Sequence, residues 1–170
     1  TVAGRVNIPG GDNRWYNNIL VGRPVETAQP VDANAKARAR FAGHGLWVYD
    51  TREHASPTGG NVYYRNARPY AKETGALAFP HSDPQVKLVE EGERVFLLAQ
   101  FDSGLPKAAT RRVTTELLGK ARVPNLPFEN PDGSPVAIDT DYFGKKRSEV
   151  SPSAGPFENP GAGQLKLKVW

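Results

Sequence analysis

The sequence predicts an all-β chain, with short strands of a parallel β-helix in its first half and a small antiparallel, sandwich-like region in its second. Three observations carry this expectation. Gly 17 and Pro 15 make up nearly a fifth of the 170 residues, a density that suits many short strands joined by turns and disfavours long helices. Short aromatic and aliphatic runs recur with Asn inside them or at their margins. After about residue 75, runs with an apolar residue at every second position take over, the period of a sheet with one buried face.

Pro9, Gly10, Gly11 and Asp12 form a breaker cluster ahead of the run Arg14-Trp15-Tyr16-Asn17-Asn18-Ile19-Leu20-Val21. Two Asn in the middle of a strand are unfavourable on propensity. They suit a parallel β-helix, where tight bends between short strands need residues that tolerate the left-handed region. There, Asn side chains can also form ladders that satisfy backbone groups at each bend. Residues 32–41 are the best helix candidate, with Asp32 as cap and Ala33, Ala35, Ala37 and Ala39 as strong formers. Their apolar face is thin, so a surface excursion is expected. Residues 44–49 read as a strand, with Leu46 and Val48 on one side and Trp47 and Tyr49 on the other. Asn61-Val62-Tyr63-Tyr64-Arg65-Asn66 repeats the theme of Asn beside an aromatic strand. Asn17 and Asn61 lie 44 residues apart, nearly two coils if each takes roughly 20–25 residues.

In the second half, residues 85–89 and 93–101 are expected to pair across a turn at Glu90-Glu91-Gly92. Val95, Leu97, Ala99 and Phe101 would share one face, with Phe96 and Leu98 on the other. Residues 111–115 and 136–138 read as further strands, Asn130-Pro131-Asp132-Gly133 as a turn, and Leu165, Leu167 and Val169 as the alternating face of the last strand. The boundary is expected within residues 75–85, giving 1–80 as coils and 81–170 as the antiparallel region.

Composition limits the function. The absence of Cys excludes disulfides, thiolate metal sites and a Cys nucleophile. The absence of Met leads to the expectation that the chain does not begin at an initiator residue, and no signal peptide pattern is visible. No apolar stretch approaches the roughly 20 residues of a membrane span. The formal charge of +4 is mild. Its densest groups, Lys36-Arg38-Arg40 and Lys145-Lys146-Arg147, lack the aromatic interleaving of a nucleic-acid face. Secreted, periplasmic and cytoplasmic bacterial locations all remain open.

Paired carboxylates are the chemistry to look for, because such acids carry glycoside hydrolysis. Asp12, Asp50, Glu53, Glu73, Asp139 and Asp141 are the candidates. Asp12 precedes a strand, where it either caps a turn or faces a groove. Asp139-Thr140-Asp141 resembles a fragment of a calcium loop but lacks the Gly and the distal Glu at the required offsets, so no metal site is assigned. His44, His54 and His81 have no zinc spacing, and no nucleophile elbow or phosphate loop is present. Aromatic rings stack on the apolar faces of sugars. Trp15, Tyr16, Trp47, Tyr49, Tyr63 and Tyr64 cluster in the first half, in adjacent pairs whose members point to opposite sides of a strand.

The run Gly11-Asp12-Asn13-Arg14-Trp15-Tyr16-Asn17-Asn18-Ile19-Leu20-Val21-Gly22 resembles a segment of the right-handed parallel β-helix β-xylosidases of glycoside hydrolase family 120. Gly60-Asn61-Val62-Tyr63-Tyr64-Arg65-Asn66-Ala67-Arg68-Pro69, followed by Glu73, is similar to a later segment of the same proteins. So are Phe128-Glu129-Asn130-Pro131-Asp132-Gly133-Ser134, Ile138-Asp139-Thr140-Asp141-Tyr142-Phe143-Gly144 and Gly155-Pro156-Phe157. The matches run in order across nearly the whole chain. The family's nucleophilic Asp and acid/base Glu lie in a Trp-x-Asp-Trp type and a Glu-Val-Asn-His-Gly-Pro type motif upstream of these segments, and neither motif occurs here.

The resemblance therefore implies the last coils of such a helix and its β-rich C-terminal region, taken from a retaining exo-glycosidase that acts on plant-type polysaccharide fragments. It implies no catalytic residue in this chain and no cofactor. The expected partners are a carbohydrate and the rest of the same enzyme or a partner chain. Neither nucleic acid nor membrane is expected. Asp12 and Trp15 are the expected substrate contacts. The alternative is a non-catalytic carbohydrate-binding or structural module, favoured by the missing catalytic motifs.

Overall fold

In a computed structural model, residues 12–23, 44–52, 54 and 56–170 are described. The expected helix at 32–41 and the carboxylate Glu53 lie outside the described residues. The described part is mostly β. Parallel pairing dominates its first half and antiparallel pairing its second.

Strand β1 (Trp15–Tyr16) runs into a two-residue bend and continues as β2 (Ile19–Val21). The same arrangement recurs in β3 (Thr58–Gly59) and β4 (Val62–Tyr64), and again at Thr74 followed by β5 (Leu77–Phe79). β1 pairs with β3 in parallel, and β2, β4 and β5 form a parallel stack in the register Ile19–Val62–Leu77. The residue at each bend has a positive φ: 57° at Asn17, 64° at Gly60 and 72° at Gly75. Asn17 was expected there because it tolerates the left-handed region. Gly60 is needed for a second reason. A Cβ at that position would lie 2.9 Å from Thr110 Cα and 3.0 Å from the Ala109 carbonyl oxygen, since residues 109–110 run across the bend.

The two aromatic rungs are direct neighbours, with Ile19 opposite Val62, and not the two coils apart that their sequence separation suggested. A second correction concerns residues 44–49. Gly45 makes a single parallel bridge to Arg68, and Leu46–Tyr49 then form a 3-10 turn. Both Leu46 N and Trp47 N donate to the Arg68 carbonyl, which curls the chain before a strand can extend. Gly45 has φ 122°, and a Cβ there would sit 2.2 Å from that same oxygen. The alternation of Leu46, Trp47, Val48 and Tyr49 is overridden by this approach.

β4 is the centre of the molecule. Val62, Tyr63 and Tyr64 are all 0% exposed. Burial on both faces is characteristic of parallel strands. Alternation sends Tyr63 to one side, into a cluster of Leu46, Ala67 and Tyr70 with Trp15, Leu20 and Tyr49. It sends Val62 and Tyr64 to the other, against Ala99, Phe101, Leu105, Ala108 and Ala154. Each such side chain contributes roughly 1.5–3 kcal/mol by burial.

The second cluster joins the parallel stack to an antiparallel sheet of β6 (Lys87–Glu91), β7 (Arg94–Phe101) and β8 (Gly163–Lys168). The hairpin forms as expected but turns one residue later, at Gly92-Glu93, since Glu91 still pairs with Arg94. Gly92 has φ 62°, the positive value that two-residue hairpin turns need. The sandwich-like expectation is corrected: among the described residues there is one antiparallel sheet and not two. The sheet's inner face packs on the parallel stack, because the other expected strands do not form a second antiparallel sheet. Residues 111–115 and 136–138 share one bridge, Thr114 to Ala137. Pairing ends there because the Thr114 hydroxyl accepts from Leu117 N and caps a single helical turn, α1 (Thr115–Leu118).

Both outer strands of the stack, β2 and β5, are edge strands among the described residues; in β5, Leu77 and Phe79 are half-buried and Ala78 is exposed. Beyond β5, a 3-10 turn at Leu105–Lys107 buries Leu105, and Gly104 lies against the Phe79 ring. At the other end, no strand among the described residues pairs with the outer edges of β1 and β2, and Ile19, Leu20 and Val21 are only half-buried.

Candidate functional site

The first bend and the strands around it gather the polar chemistry of the chain. Asn18 and Asn61 occupy equivalent places in adjacent rungs and form the expected ladder. Asn61 Oδ1 accepts from Asn18 N and from Asn18 Nδ2, both at 2.9 Å. Asn61 Nδ2 donates to the Trp15 carbonyl at 2.8 Å and to Glu73 Oε1 at 2.7 Å, and Asn61 N donates to the same Oε1 at 3.1 Å. The third rung has Ala76 where an Asn would stand. Glu73, arriving just before that rung, ends the ladder with its carboxylate. Its other oxygen accepts a hydrogen bond from the Tyr63 hydroxyl. Burial, with the adjacent Glu73 carboxylate, pushes the Tyr63 phenol well above its ordinary pKa, so the hydroxyl stays a donor. Both Glu73 oxygens are therefore engaged in holding rungs together.

Asp12 lies at the start of β1, exposed. One carboxylate oxygen pairs with Arg14, and the other accepts from Arg122 N at 2.9 Å. The Arg14 hydrogen bond, followed by the Arg122 N–H, holds the Asp12 carboxyl below the usual carboxylate range. Asp12 is thus a fixed anion and a hydrogen-bond acceptor, unsuited to donating a proton near neutrality. Arg14 also donates to the Leu118 and Lys120 carbonyls at the end of α1 and lies 4.5 Å from the Phe128 ring. Arg122 reaches His54 Nδ1 at 2.6 Å. The sequence reading missed Arg122 and Arg14. For Arg122 no local signal existed, because it meets Asp12 across 110 positions.

Trp15 is half-buried, its ring 6.3 Å from Tyr49 and packed on the Tyr63 cluster. Its indole Nε1 is buried with no hydrogen-bond partner among the described residues. Trp47 stacks under the Arg68 guanidinium at 4.1 Å. Tyr63 and Tyr64 are fully buried. Tyr16 and the Asn17-Asn18 bend line an open cleft of about 390 Å³ with Ile19, Val113 and Arg147.

An unpartnered buried donor costs free energy, so Trp15→Phe removes a penalty while losing part of a ring. The stability change is expected to stay within about 1 kcal/mol. A urea titration showing a loss above about 2 kcal/mol would mean that the indole N–H has a partner after all.

The remaining described candidate carboxylates are engaged. Asp50 accepts from Ala71 N at 2.8 Å. Asp139 pairs with Arg112 at 3.7 Å. Asp141 accepts from the N–H groups of Phe143, Lys145 and Glu158. Glu158, unremarked in the sequence, is buried and accepts from Ser148 N and Ser153 N beside Arg147.

The fold recurs in a solved protein. The chain is similar to XylC, whose structure was solved in complex with xylose, with a TM-score of 0.75 and 27% sequence identity over 96% of this chain. The chain has the fold of a segment of XylC. It covers 27% of the length of XylC, so most of XylC has no counterpart here. No family model matches the chain, and no curated protein matches it.

Proposed function

We infer that the chain is the C-terminal portion of a retaining, β-xylosidase-like exo-glycosidase whose catalytic carboxylates lie upstream of it. The observation that carries the reading is the likeness to XylC, a protein solved with xylose bound, over nearly all of this chain and about a quarter of that one. Two features of the chain support it. A retaining pair needs two carboxyl groups about 5 Å apart, one of them free to give a proton. The described candidates are instead engaged by backbone N–H groups, cations or, for Glu73, the Asn61 amide and the Tyr63 hydroxyl. The half-buried apolar edge of β1 and β2 also suits a further coil stacked upon it, from the same enzyme or a partner chain. In this reading residues 1–80 are terminal coils and 81–170 the β-rich C-terminal region. Asp12 and Trp15, beside that edge, are the sugar contacts.

The test is an assay of the 170-residue chain on nitrophenyl xyloside, with Asp12→Asn and Glu73→Gln variants alongside. No turnover is expected from any of the three. Turnover that vanishes in one variant would overturn the reading and make that residue catalytic. The second reading, a non-catalytic carbohydrate-binding module, is favoured by the engaged carboxylates. It predicts saturable xylo-oligosaccharide binding without turnover, still present when an upstream portion is supplied, and no activity restored by that addition.

A further inference from the structure

The antiparallel sheet has a second face that the core does not use. Val95, Leu97, Ala99 and Phe101 of β7 alternate with Phe96, Leu98 and Gln100, and only the first set lies on the side of the core. On the outer side, the register places Lys87, Leu98 and Lys166 in one cross-strand row, Gln100 opposite Gln164 in the next, and Val89, Phe96 and Lys168 in the row beyond. The first two rows, with Gln85, line a groove of about 530 Å³. Its floor spans three strands, about 10 Å at the usual strand spacing. Lys87, Gln85, Gln100, Gln164 and Lys166 are exposed, and Leu98 is half-buried. Lys166 lies 4.4 Å from the centroid of the Phe96 ring and is held by both oxygens of Glu91 at 2.6 and 2.7 Å. Lys87, Lys166, Lys168 and Arg94 face a single carboxylate on these rows, Glu91.

The outer face of an antiparallel sheet is ordinarily a solvated polar surface. Three features set this one apart: it is concave, its charge has one sign in excess, and an apolar side chain sits at its centre. Side-chain amides donate and accept at once, as sugar hydroxyls do. Leu98 and Phe96 offer apolar surface to the C–H face of a sugar ring, and Lys87, which has no ion-pair partner among the described residues, suits a carboxylate. We propose that this groove is a secondary binding site for a xylan chain carrying uronate substituents, separate from the Asp12–Trp15 region. The proposal rests on the carbohydrate reading above and adds a ligand class and a location. Phosphate-rich nucleic acid would use the lysines but not the row of amides, and is the less suited polyanion.

The test is isothermal titration of the whole chain with three probes: a glucuronic-acid-bearing xylo-oligosaccharide, neutral xylohexaose and a single-stranded oligothymidylate. Tightest binding is expected for the acidic oligosaccharide. Lys87→Gln should weaken it about fivefold, the size of an exposed ion pair, with less effect at high salt. Gln164→Ala should weaken both oligosaccharides. These positions are exposed, so each variant is expected to keep the wild-type melting temperature. Equal binding of acidic and neutral oligosaccharides, binding unchanged in both variants, or oligothymidylate binding as tightly as the sugar would each overturn the proposal. A null result here leaves the nitrophenyl xyloside assay untouched, so the two failures are distinguishable.

Discussion

Asn61→Ala is expected to destabilise the chain by about 3–5 kcal/mol, because one side chain serves three rungs. Its amide accepts from Asn18 and donates to the Trp15 carbonyl and to Glu73. Removing it takes these bonds from Asn18 N and the Trp15 carbonyl and leaves Glu73 Oε1 with the Asn61 N–H alone, beside a residue that is 0% exposed. Each unsatisfied buried group costs about 1–3 kcal/mol. Water can enter at the half-buried first rung and recover part of this, which is why the full sum is not expected. Guanidinium denaturation with an unchanged m-value measures the loss directly. A change below about 1 kcal/mol would mean that the backbone pairing of the rungs suffices without the ladder. Asn61→Asp is a sharper probe. It keeps the acceptor for Asn18 but sets a second carboxylate against Glu73, and like charges at contact raise the pKa of the pair. Its destabilisation should therefore grow as pH rises from 4 to 7, whereas that of Asn61→Ala should not.

Asp141→Ala has the second largest expected effect, about 3–4 kcal/mol, from three charge-assisted hydrogen bonds to backbone N–H groups. Asp141 Oδ1 accepts from Phe143 N and Lys145 N, both at 2.9 Å, and Oδ2 from Glu158 N at 2.8 Å. Residues 140–158 have only one isolated bridge among them, so these bonds stand in for a ladder. Burial pushes the Asp141 carboxyl upward. The N–H groups of Glu158, Lys145 and Phe143, joined by the Arg147 charge, outweigh it and hold the pKa below the usual range. A depressed folded pKa means stability that is present above the unfolded pKa and lost as pH falls through the folded one. Asp141→Asn should therefore trail the wild type above about pH 4 and converge with it in more acid solution. A gap that persists undiminished well below pH 3 would assign the effect to packing and not to charge.

The same residues show why parts of the fold were legible. Two Asn inside an aromatic run contradict strand propensity, and only a bend between two short strands reconciles them. That local conflict revealed the ladder before any contact was known. The hairpin of β6 and β7 and the last strand were readable because one face is buried and the other wet, which writes period two into the sequence. Alternation failed at residues 44–49, where Leu46, Trp47, Val48 and Tyr49 look like a strand. The close approach of Gly45 to Arg68 is a tertiary event with no local signature. Coil counting failed as well, because residue separation cannot tell a coil from an excursion. At the candidate site, Asp12 could be singled out from its position before a strand, but its partner Arg122 could not. The burial of Glu158 was likewise invisible, since a charged residue is ordinarily exposed unless the fold supplies donors for it.

By itself the sequence determined the β class, the bends at Asn17 and before Val62, the alternating strands of the second half and the likeness that directs attention to sugars. These are properties of neighbours along the chain, set by propensity, φ preference and period. Only the tertiary structure decided which rungs touch, which carboxylates are already engaged, and that β4 is enclosed between two edge strands, β2 and β5. Those depend on groups far apart in sequence meeting in a dry interior, where an unpaired donor or charge is costly and the choice of partner becomes specific.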